Sequence, residues 1–266
     1  MPTLAVDGID LHYEERGAGT PVVFSHGLLW TGGMFDAQVT ALSTRHRCIA
    51  YDHRGQGRSD TSPAPYDMER LTADAATLIE KLGAAPCHFV GLSMGGFVGM
   101  RLAARRPELL RTLTLVETAA DGEPRWNIPK YRAMALVGRV AGFGPVVGAV
   151  MRIMFGAPFL RDPARAELRD KMRAELLALE PARLEAALDA VVKRQPILPE
   201  LHRIRTPTLV LHGDEDRAIV LGRAAQMASA IHGARMVVIP RAGHTSSVEA
   251  PEAITRELAA FFEAHP

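Results

Sequence analysis

The stretch Cys87-His88-Phe89-Val90-Gly91-Leu92-Ser93-Met94-Gly95-Gly96 decides how this chain is read. Its first residues have the apolar run of a buried strand, and those from Phe97 onward have the pattern of a helix. A serine held between glycines on a strand-to-helix turn is the nucleophile-elbow pattern. So tight a turn demands small neighbours, and it lifts one hydroxyl clear of the sheet edge. A serine hydroxyl is a weak nucleophile at neutral pH. It needs a base within hydrogen-bond reach, and that base needs an orienting group.

Working outward from this turn, apolar strands alternate with amphipathic helices. A hairpin is expected over 4–13, turning at Asp7-Gly8. Strands follow at 21–24, 47–51, 87–90, 112–116, 208–211 and 235–239. Helices are expected at 34–42, 68–82, 97–106, 221–231 and 251–263, with Gly83 closing the second. Continuous apolar strands alternating with helices imply an α/β architecture: a mostly parallel sheet, eight strands in all, with helices on both faces. The alternation stops between 121 and 203, which is helical and rich in Ala, Met and Leu. We read 1–120 and 204–266 as one core and 121–203 as a helical lid inserted above it.

The partners of Ser93 are sought at the same sheet edge. His244 lies in the loop after the last strand, in Pro240-Arg241-Ala242-Gly243-His244-Thr245, and is the candidate base. The strand at 208–211 runs into His212-Gly213-Asp214-Glu215-Asp216-Arg217. Asp216 is the chosen acid; Asp214 would shape the turn, Glu215 would face solvent, and Glu117 is a fourth candidate on another strand end. Acyl transfer also needs donors for the developing oxyanion. The backbone N–H of Met94 follows the nucleophile, and the N–H of Leu28 follows Gly27 in the loop after 21–24. His26 reads as a structural histidine bonded to nearby main chain.

These features together resemble a serine hydrolase of the α/β-hydrolase superfamily over essentially the full length. The segments that carry the resemblance are His26-Gly27, Asp52-His53-Arg54-Gly55-Gln56-Gly57-Arg58-Ser59, Gly91 to Gly96, and the late Asp216 and His244. The second is similar to a loop of the esterase, enol-lactonase and cofactor-free haloperoxidase branch, where its Asp and Arg tie the loop together. The resemblance implies the α/β-hydrolase fold and a Ser–His–Asp mechanism without cofactor or metal. Dehalogenase and epoxide-hydrolase relatives carry an aspartate at the elbow, where this chain has Ser93. Perhydrolase-type relatives often have proline after the oxyanion residue, where this chain has Leu29, and the acid loop ends in Val220 where relatives often have proline.

The expected function is a carboxylic ester hydrolase acting through an acyl-enzyme on small to medium, largely apolar esters. Alternatives are a lactonase of the enol-lactone type, a C–C bond hydrolase, and a slow-turnover ligand receptor on the same fold. Leu29, Trp30, Trp126, Met134, Phe143, Met154 and Phe155 are the candidate pocket residues. Arg125, Lys130, Arg132 and Arg139 are either anchors for a substrate carboxylate or ordinary surface charges.

Composition narrows the classes further. At 266 residues, 47% apolar, 23% charged and with a net charge of +1, the chain is an ordinary globular mix. No field would steer it to nucleic acid or anionic lipid. The opening Met1-Pro2-Thr3-Leu4 does not read as a leader, and the apolar stretch 133–159 is broken by Arg139, Arg152 and several Gly and Pro residues. Cys48 and Cys87 read as reduced core thiols. The expectation is a cytoplasmic monomer or homodimer that binds a small-molecule ester or lactone. There is no CxxC, no HExxH and no His/acid cluster at metal-ligand spacing.

Overall fold

The computed structural model describes residues 2–61 and 65–266. Its centre is an eight-stranded sheet. The strands are β1 (Thr3–Val6), β2 (Ile9–Arg16), β3 (Thr20–Ser25), β4 (His46–Tyr51), β5 (Cys87–Leu92), β6 (Leu110–Val116), β7 (Thr208–Gly213) and β8 (Arg235–Ile239). Their spatial order is β1-β2-β4-β3-β5-β6-β7-β8. The first two strands form a hairpin, and β2 runs antiparallel to β4. From β4 to β8 every neighbour is parallel. The hairpin turns through Asp7 (φ 44°) and Gly8 (φ 78°), the two positive φ values that match the twist of paired strands.

Why the middle strands are largely apolar follows from their cover. All six residues of β5 are buried, because helices lie on both faces. On one face α2 (Met68–Lys81), α3 (Met94–Arg105) and α9 (Leu221–Ala230) contribute Leu71, Leu78, Phe97, Met100 and Met227 to one apolar cluster. On the other, α1 (Asp36–Leu42) and α11 (Pro251–Glu263) contribute Val39, Leu258 and Phe261 to a second. The Asp67 carboxylate caps α2 by accepting from Arg70 N at 2.9 Å, and Gly83 follows it at φ 59°. The helix expected over 34–42 splits: Gly32–Phe35 is a 3-10 turn and α1 begins at Asp36.

Five helices intervene between β6 and β7, and we term them the cap: α4 (Ile128–Ala141), α5 (Val147–Met154), α6 (Ala157–Arg161), α7 (Ala166–Leu177) and α8 (Pro181–Val192). Residues of α5, α6 and α7 join the second cluster through Val147, Met151, Phe159 and Met172. Cys48 and Cys87 are buried, unpaired thiols, each pushed up to about 12 by burial. Among the described residues, no helix is long and apolar enough to cross a membrane.

The Asp52–Ser59 loop is tied down through the side chains of Asp52 and Arg54. Asp52 accepts from Gly32 N (2.8 Å) and Arg58 N (2.9 Å) and meets His12 Nδ1 at 3.1 Å. Arg54 forms a buried two-point pair with Asp74 at 2.6 and 2.7 Å.

Candidate active site

The C-terminal ends of β3, β5, β6, β7 and β8 converge on one edge. Ser93 occupies the turn from β5 to α3 at φ 51°, ψ −108°, a region that non-glycine residues rarely enter and that is held here by its surroundings. Its N–H donates to Val116 O (2.9 Å), and its carbonyl accepts from Phe97 N (3.0 Å) and Thr118 Oγ1 (2.9 Å). The flanking glycines are steric necessities. A Cβ at Gly91 would lie 2.3 Å from Gly95 O, and one at Gly95 would lie 1.9 Å from Ser25 O. The Ser93 hydroxyl itself makes no hydrogen bond among the described residues and faces a cavity that His244 also lines.

The candidate carboxylates differ in their contacts. Asp216 Oδ2 lies 2.8 Å from His244 Nδ1, and Asp216 Oδ1 accepts from Ala218 N (2.8 Å) and Ile219 N (3.0 Å). Burial alone would raise the Asp216 carboxyl, but His244, His212 and the Ile219 amide outweigh it and hold it below its ordinary value. Asp214 instead accepts from Arg241 N at 2.7 Å and shapes the turn. Glu215 is half-buried, where solvent exposure was expected.

Glu117 lies behind this pair rather than in it. It is wholly buried, its two oxygens are each 2.9 Å from Gly213 N, and Oε2 is 3.3 Å from His212 Nδ1. His212 Nε2 sits 2.9 Å from Ile219 O. A carbonyl can only accept, so Nε2 carries a proton. Burial, then the neighbouring Asp216 charge, pushes Glu117 well above the carboxylate range. Glu117, His212 and Asp216 are close enough to hold an ion, but an ion there would take Asp216 from His244. A raised carboxyl supplies stability below its ordinary pKa and loses it as pH climbs through the raised value. Glu117→Gln keeps the neutral shape and lacks that loss. Its melting midpoint relative to the unsubstituted protein should therefore rise with pH, by at least about 2 °C between pH 5 and 9. Melts at both pH values check this, and a constant difference would refute the assignment.

His26 is structural. Its Nε2 accepts from His53 N (2.9 Å), which leaves Nδ1–H to donate to Gly27 O (2.7 Å), and burial lowers its pKa. Gly27 brings its loop against the elbow: a Cβ there would lie 3.5 Å from Ser93 Cβ. In this loop Leu29 N donates to Gln56 Oε1 (3.2 Å) and Trp30 N to Gly27 O (3.3 Å). The N–H groups of Leu28 and Met94 have no acceptor among the described residues.

The cavity measures about 440 Å³. Of the candidate pocket residues, Leu29, Met134, Phe143 and Met154 line it. Three other candidates lie elsewhere. Trp126 is 81% exposed on the segment leading into α4, and Trp30 and Phe155 pack edge to face in the core at 5.8 Å instead of forming the wall. Apolar character alone does not separate a cavity wall from the joint beneath it. Sequence reasoning also missed the single-turn α10 (Ser246–Glu249), whose Glu249 is buried and accepts three backbone N–H groups. Its only sequence signal is an acid five positions after His244.

Three comparisons place this geometry among known proteins. Residues 22–257 match the model of the alpha/beta hydrolase family. A protein of Azorhizobium caulinodans named as the carbamate hydrolase RutD is 29% identical, with 98% of each chain covered. Among solved structures, a thermophilic esterase from Thermogutta terrifontis superposes with a TM-score of 0.90 at 30% identity, covering 99% of this chain and 97% of its own. An enol-lactonase from Burkholderia xenovorans superposes with a TM-score of 0.90 at 31% identity, covering 98% and 100%. With the fold, the elbow and the family match in agreement, the chain belongs to the alpha/beta hydrolase family.

Proposed function

We propose that this hydrolase cleaves neutral, largely apolar carboxylic esters through an acyl-enzyme on Ser93. The observation that carries the reading is the convergence of the strained Ser93 turn and the Asp216–His244 pair on one apolar cavity. His244 takes the proton from Ser93 Oγ as that oxygen attacks the carbonyl carbon. Asp216 keeps the imidazole proton on Nδ1 and stabilises the imidazolium. The Leu28 and Met94 N–H groups receive the oxyanion. His244 then returns the proton to the leaving alcohol and activates the water that releases the acid. An organophosphonate should label Ser93 stoichiometrically, and a p-nitrophenyl ester should give a burst followed by steady turnover. A single slow turnover with retained ligand would favour a receptor instead.

Charge in the cavity supports a neutral substrate. Arg132, Arg139 and Lys193 line it, and each faces an acid. Arg132 and Lys193 meet Asp189, at 3.9 and 2.5 Å, and Arg139 meets Glu185 at 3.9 Å. Arg125 and Lys130 lie outside the lining. Glu123, Glu185 and Asp189 line the same cavity, so a substrate carboxylate would meet as many acids as lysine and arginine side chains. A simple carbamate would leave most of about 440 Å³ unfilled. We expect kcat/KM for a neutral ester or lactone to exceed that for a carboxylate-bearing lactone of similar size by at least about tenfold, or ~1.4 kcal/mol. The reverse preference in the same substrate panel would establish the enol-lactonase alternative.

A further inference from the structure

We propose that Glu249 is the positioning residue of the His244 loop and fastens that loop to the cap, so that the imidazole and one wall of the cavity are held as a single unit. The proposal rests on the reading of His244 as the base. Glu249 Oε1 accepts from Gly243 N (3.0 Å) and Thr245 N (3.2 Å), the two amides that bracket His244 in the chain. Its Oε2 accepts from Gly156 N (2.8 Å), in the joint between α5 and α6. One carboxyl group thus spans two segments that are distant in sequence, through three buried bonds that are of the stronger, charge-assisted kind when it is ionised.

The contact around it is backbone against backbone. A Cβ at Gly243 would lie 2.2 Å from Gly156 N, and one at Gly156 would lie 3.1 Å from Gly243 N and 3.2 Å from Glu249 Oε2. A second fastener runs parallel: Thr245 Oγ1 donates to Met154 O at 2.8 Å, also buried. Met154 lines the substrate cavity. On the core side, Gln38 Nε2 donates to Ser247 O at 3.0 Å and anchors the turn that carries Glu249. The base is therefore held from both sides, by Asp216 at its ring and by Glu249 at its main chain.

The geometry has a chemical consequence. A carboxylate presents acceptors to all three amides, whereas a glutamine presents one oxygen and turns an NH2 group toward an N–H. Glu249→Gln should leave at least one of these amides without an acceptor and loosen the loop. Displacing a reacting group by about 1 Å can cost about a hundredfold in rate. A loosened base slows the chemical step without emptying the pocket.

The test measures p-nitrophenyl butyrate kinetics of Glu249→Gln well below its melting midpoint. It is paired with the low-field proton resonance of the His244 Nδ1–H bond to Asp216. We expect kcat to fall at least about tenfold, KM to stay within about twofold, and the resonance to broaden. A folded variant that keeps both kcat and the resonance overturns the proposal. If Glu249→Gln does not fold, Thr245→Val decides: it removes only the hydroxyl bond to Met154 O. A fall in kcat of at least about threefold at unchanged KM supports the fastening, and unchanged kcat overturns it. Phosphonate labelling of Ser93 in the unsubstituted protein separates failure of this proposal from failure of the hydrolase reading, since the latter would leave Ser93 unlabelled.

Discussion

Ser93→Ala should lower ester turnover by at least about a thousandfold while leaving the fold and its melting midpoint nearly unchanged. The size of the effect follows from chemistry. Without Oγ no acyl-enzyme forms, and what remains is the binding and oxyanion stabilisation that the cavity gives to attack by water. The small stability effect follows from structure. The bonds that hold the turn use the Ser93 backbone: its N–H to Val116 O, and its carbonyl to Phe97 N and Thr118 Oγ1. The hydroxyl contributes none, so alanine leaves no buried polar partner orphaned. Alanine meets the same φ of 51° with a similar steric cost. The measurement is kcat/KM for a p-nitrophenyl ester alongside a thermal melt. Near-normal turnover by the folded variant would remove Ser93 from the mechanism, whatever the geometry around it.

Much of the fold and of the candidate site's placement is legible in the sequence, and the reason is local. The elbow's glycines are required by contacts between residues near in sequence, such as Gly91 against Gly95. The alternation of strands and helices has a period that the sequence displays directly. Order along the chain then places the loops of Ser93, Asp216 and His244 on one sheet edge. What could not be read depends on contacts between remote segments. Sequence position favours Asp216 over Asp214 but shows no partner for either; the Arg241 amide lies on one and the imidazole on the other. Trp126 carries the composition of a pocket residue and ends in solvent, because the cap presents its entry segment outward. Glu117 and Glu249 acquire their character from burial against Asp216, Gly156 and Gly243. Burial pushes Glu249 up to about 7 even against its three N–H bonds. No periodicity announces that.

Asp216→Asn should reduce turnover by on the order of a thousand- to ten-thousandfold, with little change in KM. The direction in which the new amide points is fixed by its surroundings. Oδ1 of Asp216 receives two N–H groups, from Ala218 and Ile219. The asparagine carbonyl must take that place, because an NH2 group there would face two donors. Its NH2 is then directed at His244 Nδ1, where Asp216 Oδ2 now lies at 2.8 Å. An imidazole nitrogen that receives a proton donor must present its lone pair. The ring proton is thereby moved to Nε2, and that nitrogen can no longer accept the proton from Ser93. The loss is one of tautomer, with packing conserved. Asp214→Asn keeps an acceptor for Arg241 N and should hold kcat/KM within about twofold. Glu117→Gln, which replaces a carboxyl whose pKa is raised and which does not touch His244, should cost less than about tenfold. Steady-state kinetics of the three variants on one ester separate the assignments. If Asp214→Asn or Glu117→Gln shows the collapse and Asp216→Asn does not, the acid lies on that other carboxylate, and the 2.8 Å pair between Asp216 and His244 is structural only.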